Sequence, residues 1–538
     1  MAGSAHVDRF ARDRLPAPEQ QPTFRFELPE LQFAEQLNCA VELLDRQVAS
    51  GRGERICLRA RGEPTWTYAE LQRQVDRIAH VLTRRLGLVP GNRVLLRAAN
   101  RPMLVACWFA VVKAGGIAVA TMPLLRTPEL VQVIDKAQVG LALCDPALMD
   151  ELEAAARIAR TPLRCIGFDT LQAWMGTEPD RYDAVPTAAD DVAFFAFTSG
   201  TTGQPKATMH MHRDVMAACV CFPPHVLRAS ADDVFIGSPP LAFTFGLGGL
   251  VLFPMHLGAS TVLLEKPAPA ALVEAIVEFG ATVLFTAPTS YRAMAEAARE
   301  RRISQPLGGP LRKCVSAGEA LPAATRTLWR DATGLELIDG IGATEMLHIF
   351  IAADEADARP GATGKAVPGY RACVMDEHGR PLPPGTVGRL AVQGPTGCRY
   401  LDDPRQADYV RDGWNYTGDA YWMDTDGYFH YQARTDDMIV SAGYNIAPPE
   451  VEEAVLAHPA VADCAVIGVD DTQRGRIVKA YVVLRAGIAG DSDLASAIQD
   501  FVRARIAPYK YPREVEFVAA LPRTATGKLQ RFRLRSMV

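Results

Sequence analysis

The strongest chemical signal in the sequence is the run Thr198-Ser199-Gly200-Thr201-Thr202-Gly203-Gln204-Pro205-Lys206. It follows the apolar residues 192–197 (VAFFAF), which read as a short buried strand emptying into a loop. Glycine lets the backbone approach an anion closely, hydroxyls and backbone amides donate hydrogen bonds, and Lys206 adds positive charge. Such a loop can cradle phosphate. A proline separates its glycine from its lysine, so it is not the GxxxxGK[ST] loop of P-loop nucleotidases. A flexible surface turn is the plain alternative for the same residues.

Three further strings carry polar residues suited to a nucleotide. They are Gly340-Ile341-Gly342-Ala343-Thr344-Glu345, then Tyr416-Thr417-Gly418-Asp419 with Ala433-Arg434-Thr435-Asp436-Asp437, then Pro522-Arg523-Thr524-Ala525-Thr526-Gly527-Lys528. Alone, each has an ordinary reading. A Thr-Glu pair starts helices, an Asp after Gly is a turn residue, and a lysine near a chain end is a solvated side chain. Together and in this order they resemble the motifs of the adenylate-forming superfamily, which holds acyl-CoA synthetases, peptide-synthetase adenylation domains and luciferases. TSGTTGxPK is the signature of that family. Ala207 stands where glycine is usual, and Ile341 where an aromatic residue is usual.

The resemblance implies roles. Thr198, Ser199, Gly200, Thr201, Thr202, Gly203 and Lys206 would hold the ATP phosphates. Thr344 would touch phosphate and Glu345 would help hold Mg²⁺, in keeping with the oxygen ligands such a cation takes. Asp419 and Arg434 would bind the ribose. Ala317, Gly318 and Glu319, with Asp339, Gly340 and Ile341, would form the adenine face. Lys528 would bridge the acid's carboxylate and the α-phosphate. A small C-terminal domain would swing about Asp436 between two half-reactions, bringing Ala442, Gly443 and Tyr444 to a tunnel for coenzyme A.

More specific strings, GSPPLAFTFGLGG, CVSAGEALP, GIGATEMLHIF, GPTGCRYL, NYTGDAY, SAGYNIA and IAPYKYPR, resemble benzoate-type CoA ligases, and 2-aminobenzoate (anthranilate) ligases above all. The likeness spans residues 38–535. It implies an acid–thiol ligase with ATP, Mg²⁺ and coenzyme A as co-substrates or cofactors. Anthranilate is the first acid to consider and benzoate the next. Phe243, Thr244 and Phe245, with Ala343 and His348, would line the acid pocket, since flat aromatic walls suit a planar acid. Phe243 and Phe245 also fit a plain core strand of period two, and His348 is equally readable as a core histidine. Three rivals remain: an aryl adenylation enzyme that loads a carrier protein, a luciferase-like oxygenase, and a catalytically silent binding protein of the same fold.

The elements that must position these residues are legible in outline. With 538 residues, the chain exceeds what one core usually organises. Residues 67–86 and 102–114 have helical spacing and 93–96 read as a buried strand, so helices should cover parallel sheets. After the polar 433–437 the texture changes to a compact α+β unit, with helices at 449–456 and 492–506 and strands at 464–469, 479–484 and 515–518. The expected fold is therefore α/β and α+β: a large domain 1–433, a hinge 434–437 and a small mobile domain 438–538. Pro448-Pro449 stiffens the start of that small domain. A net charge of −5 offers no general attraction to nucleic acid or anionic lipid. The eleven cysteines lack metal or disulfide spacing and suit reduced, buried thiols in the cytoplasm. The N-terminal residues carry no signal-peptide core. The apolar stretches 104–121 and 241–264 are broken by Lys113 and by Pro254 and His256, which argues against membrane spans. No motif speaks to oligomeric state, and a homodimer stays open.

Overall fold

The computed structural model describes residues 3–198, 205–300, 309–441, 444–471, 475–523 and 529–537. Two large sheets organise the first four hundred or so residues. One has six strands, in the order Arg164–Gly167, Leu141–Cys144, Arg93–Arg97, Ile117–Thr121, Val192–Thr198 and Lys206–Met211. All its pairs are parallel except the last. The second has nine strands, with Ile56–Ala60, Val234–Gly237, Ser260–Leu263, Val283–Thr286, Lys313–Ser316 and Ile338–Gly342 parallel at its heart.

Both faces of each sheet are buried, and strand periodicity shows it. Val94 and Leu96 enter a core shared with Phe235, Phe285 and Val315 of the other sheet, while Leu95 points to a separate cluster with Ile117 and Val119. The helix Pro102–Lys113, apolar on all sides, is buried along its whole length. Lys113 ends it and is held by Asp45 and Asp76. The helix Tyr68–His80 starts from a reciprocal cap in which Thr67 and Glu70 exchange side-chain and backbone hydrogen bonds. Among the described residues no helix is long and apolar enough to cross a membrane.

A five-stranded antiparallel sheet follows, including Gly388–Gln393, Trp414–Met423 and Phe429–Arg434. Beyond Arg434 the strands are Ile439–Ser441 with Tyr444–Ile446, and Val461–Asp471, Gly475–Leu484 and Glu514–Phe517. Their core of residues such as Ile446, Val466, Val482 and Ile498 is distinct from the others. The helix Ser492–Arg503 stops short of 506. Nine cysteines are buried, Cys165 and Cys373 are partly so, and all eleven are free.

Candidate active site

The antiparallel pair Val192–Thr198 and Lys206–Met211 places Thr198 opposite Lys206. Ser199, Gly200, Thr201, Thr202 and Gly203, in the loop between, lie outside the described residues, as do Ala442, Gly443 and Lys528. The loop's flanks are informative. The Thr198 hydroxyl is buried and has no hydrogen-bond partner among the described residues. Lys206 Nζ donates to the Tyr400 hydroxyl at 2.8 Å and stands 3.8 Å from Glu345 Oε1. The same phenol donates to that Glu345 oxygen.

Thr344 and Glu345 sit in a short turn, Thr344–Met346, inside the loop joining the antiparallel strands Ile338–Gly342 and Ile349–Ala352. Leu347 completes the reversal at φ +71°, a strained conformation costing about 1–3 kcal/mol. His348 comes next, so one tight reversal carries both a carboxylate and an imidazole. From below, fully buried His210 donates from Nε2 to the Thr344 carbonyl at 2.8 Å. Burial lowers its pKa to about 4, so the ring is neutral at pH 7.

The proposed adenine face gathers where parallel strands end, the usual ligand-binding edge of such sheets. Ser316 lies beside Asp339, and Ala317, Gly318 and Glu319 leave that strand. Gly318 has φ +93°, which side-chain-bearing residues rarely adopt. Asp339 is partly exposed yet ringed by protein atoms. Loss of water raises its pKa to about 7, with the Arg326 charge opposing the rise. Nearby in the fold, Asp419 and Arg434 face each other across two strands. Arg434 Nη1 donates to Asp419 Oδ1 at 3.1 Å and to the Thr417 carbonyl at 2.8 Å. A Cβ on Gly418 would lie 2.5 Å from Arg434 Nη2, so glycine is what admits the guanidinium. Asp436 follows with an exposed side chain, 3.6 Å from Arg434 Nε. Its neighbour Asp437 is gripped by Arg531 and Arg535.

Phe243 and Phe245 are not on a strand of period two. They flank the start of the short helix Thr244–Leu247, where Thr244 is buried and both phenylalanines are half-buried. His348 is buried among Phe222, Phe245, Phe253 and Phe285, with ring centroids 4.5–6.1 Å away. Among the described residues neither ring nitrogen makes a well-formed hydrogen bond, although the Phe245 backbone lies close enough to favour the protonated ring. Burial dominates and lowers the pKa to about 3. Ala343 and Ile341 pack against the same core. Tyr444 begins the strand opposite Ser441. Tyr400 and His210 also belong to this site: Tyr400 lies in the string GPTGCRYL, which assigned it no role, and His210 lies outside the quoted strings.

Two family models fit this arrangement: AMP-binding enzyme over residues 44–399, and AMP-binding enzyme C-terminal domain over residues 450–528. The chain belongs to the AMP-binding enzyme family. Within it the chain falls in the aryl-CoA ligase branch of the adenylate-forming enzymes, and it is an enzyme of the acid–thiol ligase class. Benzoate–CoA ligase of Thauera aromatica is 34% identical, covering 94% of this chain and 97% of that one. A 3-hydroxybenzoate–CoA ligase of Aromatoleum sp. (strain CIB) is 32% identical, over 93% and 97%. The crystal structure of an anthranilate CoA ligase with anthranoyl-AMP superposes with a TM-score of 0.89 at 32% identity, over 95% and 99%. In this member of the AMP-binding enzyme family Ala207 directly follows Lys206, and Ile341 stands between Gly340 and Gly342.

Proposed function

We propose that the enzyme activates a small aromatic acid, anthranilate first, as its acyl adenylate and transfers it to coenzyme A, releasing pyrophosphate and then AMP. The observation that carries this reading is the single reversal at residues 343–348. Its Glu345 faces Lys206 and Tyr400, and its His348 sits in a cage of phenylalanine rings. Nucleotide and aromatic acid would therefore meet across one turn.

In the first half-reaction the acid's carboxylate attacks the α-phosphorus and pyrophosphate leaves. The loop 198–206 and Lys206 hold the outer phosphates, Thr344 donates to phosphate, and Asp419 accepts from the ribose hydroxyls with Arg434 beside it. Lys528 bridges the attacking carboxylate and the α-phosphate, where charge develops. The divalent site is tested by its donors. Glu345 offers one carboxylate, and among the described residues no group of three His, Cys, Asp or Glu side chains could hold a metal unaided. That fits Mg²⁺, which binds through one or two carboxylates plus substrate phosphates and waters, and which would offset phosphate charge. In the second half-reaction the thiol attacks the acyl carbonyl and AMP departs, after residues 438–538 turn about Asp436 and bring the segment 441–445 to the thiol's path.

His348, neutral and with a ring nitrogen free of any well-formed hydrogen bond among the described residues, is suited to accept one from the ortho amino group. A site built to meet a polar substituent rejects the analogue lacking it. A panel of substituted benzoates with ATP and coenzyme A should give a kcat/KM for anthranilate at least about ten-fold above benzoate, or roughly 1.4 kcal/mol. The 34% identical benzoate ligase supports benzoate as the second reading, and the reverse ranking would establish it. A Cβ added at Gly248 would lie 2.4 Å from His348 Cδ2. Gly248→Ala should therefore raise the KM for the aromatic acid about ten-fold and leave the KM for ATP unchanged. Steady-state titration of each substrate checks it.

A further inference from the structure

Tyr400 is held more firmly than a residue of a connecting segment needs to be. Met209 N–H donates to the Arg399 carbonyl at 2.8 Å, Leu401 N–H donates to the Ala207 carbonyl at 2.9 Å, and Thr208 pairs with Tyr400 between them. The segment is thus stitched to the strand that leaves the phosphate loop. From the other side, Gln406 Oε1 accepts the Tyr400 N–H at 2.8 Å, and the Tyr409 ring packs edge-on at 5.9 Å. The side chain is buried, 1% exposed. Its hydroxyl accepts from Lys206 Nζ and donates to Glu345 Oε1, joining two groups of opposite charge that are 3.8 Å apart. Glu345 Oε2 takes no hydrogen bond among the described residues.

A carboxylate that must catch a hydrated cation works best when its orientation is fixed beforehand by a hydrogen bond to its other oxygen. A lysine beside it would otherwise swing in and close a direct ion pair, tying up both oxygens. We propose that Tyr400 is a positioning residue: its hydroxyl aims Glu345 Oε2 at the divalent cation that arrives with ATP, and keeps Lys206 alongside until phosphate takes the ammonium. The proposal rests on the reading of Glu345 as the carboxylate that meets that cation.

The test compares Tyr400→Phe and Glu345→Gln in the full-length enzyme. Mn²⁺ retained by the complex with α,β-methylene-ATP is titrated by EPR. In parallel, both half-reactions are timed, the second from supplied anthraniloyl adenylate and coenzyme A. Tyr400→Phe should weaken Mn²⁺ retention about ten-fold, a usual effect of losing an outer contact to a metal-bound group. Adenylation should need correspondingly more Mg²⁺, while thioester formation from supplied adenylate stays within about two-fold of the parent enzyme. Weakening in Glu345→Gln alone would overturn the role of Tyr400 and leave Glu345 in place. No change in either variant would overturn both. Equal loss of both half-reactions in Tyr400→Phe would mark the tyrosine as structural and overturn the proposal.

Discussion

Lys528→Ala is expected to slow acyl adenylate formation about a hundred- to a thousand-fold, while thioester formation from supplied adenylate and coenzyme A continues within a few-fold of the parent rate. The size follows from what a preorganised charge at a developing oxyanion usually contributes. The selectivity follows from geometry in time. In the first step charge builds up between carboxylate and α-phosphate, and one ammonium there offsets it. In the second step the thiol attacks a carbonyl, and under the proposed turn of the small domain about Asp436 its lysine has moved away. Pyrophosphate release and coenzyme A consumption, measured separately, read the two steps. Equal losses in both would mean that Lys528 serves folding or general binding.

Arg399→Leu should destabilise the protein by about 3–5 kcal/mol, the usual result of stranding one buried charge. Arg399 and Asp214 are both wholly buried, with Arg399 Nη1 donating to Asp214 Oδ2 at 2.7 Å. The guanidinium also lies over the Phe24 ring at 4.0 Å. Without it Asp214 keeps, among the described residues, the Met211 N–H at 3.0 Å and the neutral His210 ring 3.9 Å away. Burial pulls the Arg399 pKa down, which marks how much water the pair has given up. Replacing both charges, with Asp214→Leu added, should restore most of the loss, because apolar pairs of similar volume often match buried ion pairs. The midpoint of denaturant unfolding would show it. A double variant no more stable than Arg399→Leu would place the cost elsewhere, at the start of the helix His212–Phe222, where Asp214 accepts the Met211 N–H.

Much of the fold was legible because its signals are local. The alternation of Val94, Leu95 and Leu96 between two cores is written in consecutive residues. So is the Thr67-to-Glu70 cap. The residues proposed to hold the nucleotide stand out as strings because phosphate chemistry demands glycine, hydroxyl and lysine at fixed spacing. Tyr400 does not, since its partners Lys206 and Glu345 are 194 and 55 positions away and no local pattern encodes such a meeting. His348 was readable as pocket group or core residue, and the structure shows why the two were hard to separate. It is as buried as a core histidine, yet among the described residues neither nitrogen makes a well-formed hydrogen bond. For Phe243 and Phe245 the period-two reading failed because Gly246, whose Cβ would lie 2.2 Å from the Pro240 carbonyl oxygen, lets the chain coil tightly there.

A crystal structure with a non-hydrolysable anthraniloyl adenylate analogue would decide whether one turn joins the two sites. The ring should lie against His348 and Phe245, the ribose hydroxyls should meet Asp419, and the phosphate position should fall within reach of Thr344. An aromatic ring bound away from His348, or a ribose that leaves the Asp419–Arg434 pair untouched, would contradict the assignment of the site.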